Sequence, residues 1–123
     1  MPRVDKGATG RFGEDEAARY LCQKGYSIVE RNFRTRLGEI DIIASNNYYI
    51  VFAEVKTRLK GSMLLPREAV DKRKQRRIIL ATQMYLMCHD IGELQPRFDV
   101  VEVTTQSNLK IESINYIENA FTL

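Results

Sequence analysis

The stretch GEIDIIASNNYYIVFAEVKTR, Gly38 to Arg58, decides how this chain folds. Ile40, Ile42 and Ile43, then Ile50, Val51, Phe52, Ala53 and Val55, supply the apolar, largely β-branched runs of a mostly buried hairpin. Asn46-Asn47 supplies its turn, because Asn tolerates positive φ. Into this background the sequence sets Glu39, Asp41, Glu54 and Lys56. Side chains alternate faces along a strand. Glu39 and Asp41 therefore share one face, and Glu54 and Lys56 share a face opposite Val55. A turn at Asn46-Asn47 pairs Ser45 with Tyr48, Asp41 with Phe52 and Glu39 with Glu54. Asp41 then lies diagonal to Glu54 on the same face, with Cβ atoms roughly 7 Å apart. A slip of one residue would destroy the arrangement.

Two carboxylates so placed can close on one cation. At ~6 Å and an effective dielectric near 20, they repel by about 3 kcal/mol. Proton uptake, a basic neighbour or a metal ion must offset that. A Glu-x-Lys triplet alone also fits an exposed, solvated strand pair. What favours a site is the convergence of Glu39, Asp41 and Glu54 on one face of an otherwise apolar hairpin.

At 123 residues the chain is expected to be a single domain, 1–123, that buries its own core. No apolar run approaches the ~20 residues that span a bilayer, so no membrane partner is expected. MPRVDKGATG contains no apolar signal region, which points to a cytoplasmic location. Cys22 and Cys88 fall in helical patterns beside apolar neighbours and are expected to be buried free thiols. The single histidine, His89, argues against a zinc cluster or a Ser-His-Asp triad. The net charge of +3 conceals an asymmetry: residues 56–77 carry nine basic and two acidic side chains, residues 78–123 two and six. One concentrated basic stretch is the footprint of a polyanionic partner, although a solvated helix face carries such runs too.

Along the chain, residues 11–24 read as a helix with Ala17, Ala18, Leu21 and Cys22 at helical spacing, stopped by Gly25. Glu14 lies on its core-facing stripe. A carboxylate there needs a partner, either Arg11, Arg34 or the hairpin carboxylates through a metal. YSIVERNF, residues 26–33, reads as the first strand. Arg31, Arg34 and Arg36 follow its edge, to contact phosphates or to blunt it against other strands. Pro66 suits a first helical position, and a long helix to about His89 carries the stripe Val70, Ile78, Ala81, Met84, Tyr85 and Cys88. Lys72, Arg73, Lys74, Arg76 and Arg77 crowd its first half. RFDVVEVT, residues 97–104, and LKIESINYI, residues 109–117, read as two further strands. Asp99 either assists the site or pairs with Arg97.

The order is helix, three strands, helix, two strands. GEID on one strand and EVK on the next resemble the nuclease signature Asp…(Asp/Glu)-x-Lys of restriction-endonuclease-like folds. The pattern is closer still to the YraN family of bacterial proteins, related to archaeal Holliday-junction resolvases. The match runs through Gly13-Glu14, Gly25-Tyr26, Arg31-Asn32, Gly38-Glu39-Ile40-Asp41, Phe52 to Lys56 with Arg58, Lys74, and Arg97-Phe98-Asp99. The resemblance implies an α/β fold with a central mixed sheet of about five strands flanked by helices.

It also implies a metal-dependent endonuclease acting on DNA, with branched or junction DNA as a candidate substrate. Asp41 and Glu54 would ligate Mg²⁺ or Mn²⁺ directly, hard cations that favour carboxylate oxygen. The Val55 carbonyl would be a further ligand, and Glu14 would bind through water or complete a second metal position. Lys56 would orient the attacking water and stabilise charge on the phosphorane. Glu39 and Arg58 would support the site or touch phosphate. Lys72, Lys74 and Arg77 would track the nucleic-acid backbone. Related resolvases act as symmetric dimers, so a homodimer is possible, with Tyr48-Tyr49 a candidate face. A binding module without turnover, or an interaction protein with a merely solvated hairpin, are the alternative readings.

Overall fold

The computed structural model describes residues 6–61, 71–108 and 110–122. Helix α1 (Lys6–Gln23) is followed by strands β1 (Ser27–Arg34), β2 (Glu39–Ser45) and β3 (Tyr49–Leu59). Helix α2 (Lys72–Cys88) then precedes β4 (Gln95–Thr105) and β5 (Ile111–Phe121). The strands form one sheet in the order β1-β2-β3-β4-β5. All neighbours are antiparallel except β3 and β4, which run parallel and so require the crossover that α2 provides. The expected order and the five-stranded mixed sheet of an α/β fold are both present.

Period-two patterning gives the sheet two apolar faces. On one side Ile40, Ile43, Ile50, Phe52, Phe98, Val100 and Phe121 pack with Ile78, Ala81 and Tyr85 of α2. On the other, Ile42, Ala44, Val51, Ala53, Val55, Val101 and Val103 pack with Ala17, Ala18 and Leu21 of α1. The central strand β3 is buried on both faces from Ile50 to Val55, so its one buried acid, Glu54, stands out against an apolar run.

The hairpin differs from its expected register by two residues. Ser45 pairs with Ile50, Ala44 with Val51 and Ile42 with Ala53. Neither Asn46 nor Asn47 adopts positive φ. Instead Asn46 Oδ1 accepts the backbone N–H groups of Tyr48 and Tyr49 at 2.9 and 2.7 Å, and that side-chain turn sets the register. A shift of two preserves facing, so the meeting of Asp41 with Glu54 survives. Carried one residue past Ile42 and Ala53, this register sets Asp41 directly across from Glu54 rather than diagonal to it.

The ladder itself stops at Ile42 and Ala53. Val55 N–H, the next donor on that edge, goes to the Asp41 side chain, whose Oδ2 accepts it at 2.8 Å. Strict alternation also breaks here, since Ile40 packs on the α2 side and Ile42 on the α1 side. Strands β2 and β3 thus part at Asp41, and its carboxylate sits in the fork.

Two expectations fail for a common reason. Cys22 and Cys88 are exposed thiols, not buried ones. Each stands in the last turn of its helix, with exposed residues around it, where the helix has run past the core. Strand β5 continues to Phe121, beyond the expected Ile117, because Asn119 at φ 50° lets the strand bend and carry Phe121 onto Phe98, ring centroids 4.9 Å apart. Helix α1 begins earlier than expected, at Lys6, and ends as expected before Gly25, at φ 95°. The expected helix start at Pro66, with Val70 of its stripe, lies outside the described residues. Within them, α2 begins at Lys72, capped by Asp71, whose side chain accepts the Lys74 N–H at 2.9 Å.

Candidate active site

Two glycines let two helices close on the fork. A Cβ on Gly13 of α1 would overlap the Thr57 hydroxyl and stand 2.9 Å from the Thr57 Cβ. A Cβ on Gly38, just before β2, would overlap the Arg77 carbonyl of α2, 2.8 Å from its carbon. Gly13 thereby brings its neighbour Glu14 against β3, and Gly38 brings the first turns of α2 against β2. These contacts gather Glu14 of α1, Asp41 of β2, Glu54 and Lys56 of β3, and the basic first turns of α2.

The Asp41 and Glu54 carboxyl groups interact in the fork. Burial first, and then the charge of Glu54, push the Asp41 carboxyl up to about 7, against the pull of the Val55 N–H. Glu14 is raised as well, by burial and then by the charge of Asp41, with Arg31 opposing. Its Oε1 is buried and accepts no hydrogen bond. Glu39 is less engaged than expected. It is exposed, and its carboxylate lies 3.4 Å from Arg34 Nε, another exposed group. Among the described residues no three His, Cys, Asp or Glu side chains form a complete metal cage. The residues present nevertheless fit a hard cation that keeps several waters: two crowded carboxylates, a nearby Val55 carbonyl, and the orphaned Glu14 oxygen.

The lysine that touches the acids is Lys74 rather than Lys56. Lys74 Nζ lies 2.6 Å from Glu54 Oε1, a short charge-assisted contact to a buried carboxylate. Burial is the largest influence and works against the Lys74 charge, but the hydrogen bond and charge of Glu54, with smaller help from Lys56 and Asp41, together raise its pKa. Lys56 is held half-buried on β3 and is pushed down, by burial and then by the Lys74 charge. Beside Glu54 opens a cavity of about 420 Å³ lined by Glu39, Glu54, Asp71, Arg73, Lys74 and Arg77. Arg73 was not among the expected contacts. Its signal was its place four residues before Arg77, which stacks the two on one helix face. Lys72 is exposed at the start of α2 and does not line this cavity.

The remaining arginines divide. Arg31 pairs with Asp15 at 2.7 Å and Arg34 with Glu39, exposed contacts on the edge strand β1. Such pairs add little stability, so they blunt the edge without excluding another anion. Arg36 is exposed in the turn before β2, and Arg58 is half-buried near the end of β3.

Asp99 is not with the other acids. It lies level with Ala53 on β4, on the face that packs against α1, whereas Glu54 meets α2. Fully buried, it accepts Arg97 Nε at 2.9 Å and Nη2 at 2.8 Å, the Tyr116 hydroxyl and the Asn119 N–H. Arg97 also donates to the Tyr26 hydroxyl at 2.6 Å and covers the Tyr49 ring at 4.5 Å. Of the two readings of Asp99, the ion pair with Arg97 is the one found. Its loss strands a buried guanidinium. Asp99→Ala is therefore expected to cost about 3–5 kcal/mol in chemical denaturation, while Asp99→Asn costs less. A loss below 1 kcal/mol would contradict this assignment.

A mixed five-stranded sheet between two helices, with carboxylates in the fork beside the parallel strand β3, defines the chain as an α/β protein. It belongs to the uncharacterised protein family UPF0102, the YraN family, whose model matches residues 13–103. It is 46% identical over 122 residues to the UPF0102 protein of Caldanaerobacter subterraneus subsp. tengcongensis, covering 98% of this chain and all of the relative. With the UPF0102 protein of Alkaliphilus oremlandii the identity is 52% over 114 residues, 91% of this chain and 96% of the relative. That of Clostridium acetobutylicum is 42% identical over 123 residues, the full length of both. These names state family membership and no activity. Among the described residues, no helix is long and apolar enough to cross a membrane.

Proposed function

We propose that this chain is a divalent-metal-dependent endonuclease that hydrolyses phosphodiester bonds in DNA, with branched or junction DNA as the candidate substrate. The observation that carries the reading is the fork. Asp41 and Glu54 meet there, and Asp41 holds its proton up to about 7 because burial, and then the charge of Glu54, disfavour its ionised form. Mg²⁺ or Mn²⁺ would be held by Asp41 and Glu54, with the Val55 carbonyl and Glu14 in reach of its waters. The chemistry such a cation supplies is a more acidic water and neutralisation of charge on the phosphate.

The protein's own groups do the rest. Lys56, with its ammonium made more acidic by burial and by Lys74, orients the water and meets charge developing on the phosphorane. Arg73 and Arg77 line the cavity next to Glu54 and hold a neighbouring phosphate, which fixes the strand's position over the acids. Lys72 and Arg58 extend the positive surface, and Arg31, Arg34 and Arg36 offer further contacts along the β1 edge. No base-reading element accompanies these groups, so recognition by shape fits them best.

The test is cleavage of labelled linear, flapped and four-way-junction DNA with Mn²⁺ or Mg²⁺, with Glu54→Ala run beside the parent. The expected result is metal-dependent cutting that the substitution reduces at least about 100-fold, with binding retained and weakened by salt. Salt-sensitive binding without cutting by the parent would replace this reading with a non-catalytic binding module. Neither binding nor cutting would leave the fold alone standing.

A further inference from the structure

We propose that Lys74 is the built-in counter-ion of Glu54, holding the oxygen that a divalent cation needs and thereby setting how tightly the protein takes up metal. The proposal rests on the metal reading above. Lys74 Nζ sits 2.6 Å from Glu54 Oε1, in ion-pair contact with that carboxylate. The two partners are held very differently. The Glu54 side chain is 5% exposed and fixed within the central strand, whereas that of Lys74 is 40% exposed. The helix is held in place, because Ile78, Ala81 and Tyr85 pack into the sheet and the Arg77 carbonyl lies close against Gly38. Only the flexible side chain can move, and a lysine, unlike an arginine, makes a contact that one rotation releases.

Its destination lies next to it. The cavity beside Glu54 is lined by Lys74 together with Arg73 and Arg77, a surface suited to a phosphate oxygen. One ammonium therefore serves two anions in turn. It neutralises Glu54 when no cation is bound, and faces phosphate once a cation has displaced it. Metal and polyanion then assist each other's binding, because each favours the same swung-out Lys74.

The test is an Mn²⁺ titration at low ionic strength, following the electron paramagnetic resonance signal of free Mn²⁺. The proteins are the parent, Lys74→Met, Lys74→Arg, and Lys110→Met, which makes the same charge change on an exposed residue. Lys74→Met is expected to bind Mn²⁺ at least about fivefold more tightly than Lys110→Met. Lys74→Arg, which grips Glu54 with a fixed fork, is expected to bind no more tightly than the parent. If the parent binds Mn²⁺ but Lys74→Met gains nothing over Lys110→Met, the counter-ion role is wrong and the metal site stands. Tighter binding by Lys74→Arg would also overturn it. If none of the four proteins binds Mn²⁺, the metal reading and this inference fall together.

Discussion

An Asp41→Asn variant is expected to melt at a higher temperature than the parent when both are metal-free at pH 7.5, by roughly 5–10 °C. Burial and then the Glu54 charge push the Asp41 carboxyl from 3.8 up to about 7, so the folded protein holds that proton more tightly than the unfolded chain does. The group's favourable contribution is complete below about pH 4 and is lost as the pH rises through 7. About three pH units at ~1.4 kcal/mol each bound the penalty near 4 kcal/mol. Asparagine removes the penalty and gives back part of the gain, since its oxygen is a weaker acceptor for the Val55 N–H. A net gain of ~2 kcal/mol follows. The difference between the two proteins should grow between pH 4 and 7 and then level off. Saturating Mn²⁺ should raise the parent's melting temperature and leave the variant's unchanged. A variant that melts at or below the parent at every pH would contradict the crowded-acid account.

Gly38→Ala is expected to cost about 2–3 kcal/mol and to disturb the site at the same time. The added methyl meets the Arg77 carbonyl, a backbone group in the middle of a helical ladder, so no side-chain rotation can relieve the clash. Either α2 lifts away or β2 shifts. Both separate Lys74 from Glu54, so the loss of stability should come with altered metal affinity. Urea denaturation with a parallel Mn²⁺ titration measures the two effects. The Gly10→Ala change, which meets nothing within 4 Å, is the matching control inside α1. A stable Gly38→Ala protein with parental Mn²⁺ affinity would show that α2 is not held where Gly38 places it.

Most of the architecture was legible because its signals are local. The apolar, β-branched runs around Ile42 and Phe52 mark buried strands, and Gly25 closes a helix. The hairpin register was not. It depended on whether Asn46 would act through its backbone or its side chain, and a sequence does not choose between those. The error was harmless because a shift of two residues preserves facing, whereas a shift of one would have turned Asp41 away. For the site, the acids Asp41 and Glu54 came from the strand pattern, but their immediate partner did not. Lys56 is adjacent in sequence and reads as the group that orients water, not as the partner of Glu54. Lys74 reaches Glu54 only because Gly38 admits α2, a contact between distant segments with no periodic trace. Asp99 shows the reverse. It is an acid close to the site in strand order, yet the sheet turns it to the opposite face, where Arg97 claims it.

The most direct measurement is an anomalous difference map from a crystal soaked in Mn²⁺. The account predicts a peak at about 2.1 Å from oxygens of both Asp41 and Glu54, with Lys74 Nζ withdrawn from Glu54 Oε1. A map with no peak in the fork, and with Lys74 still bonded to Glu54, would contradict it.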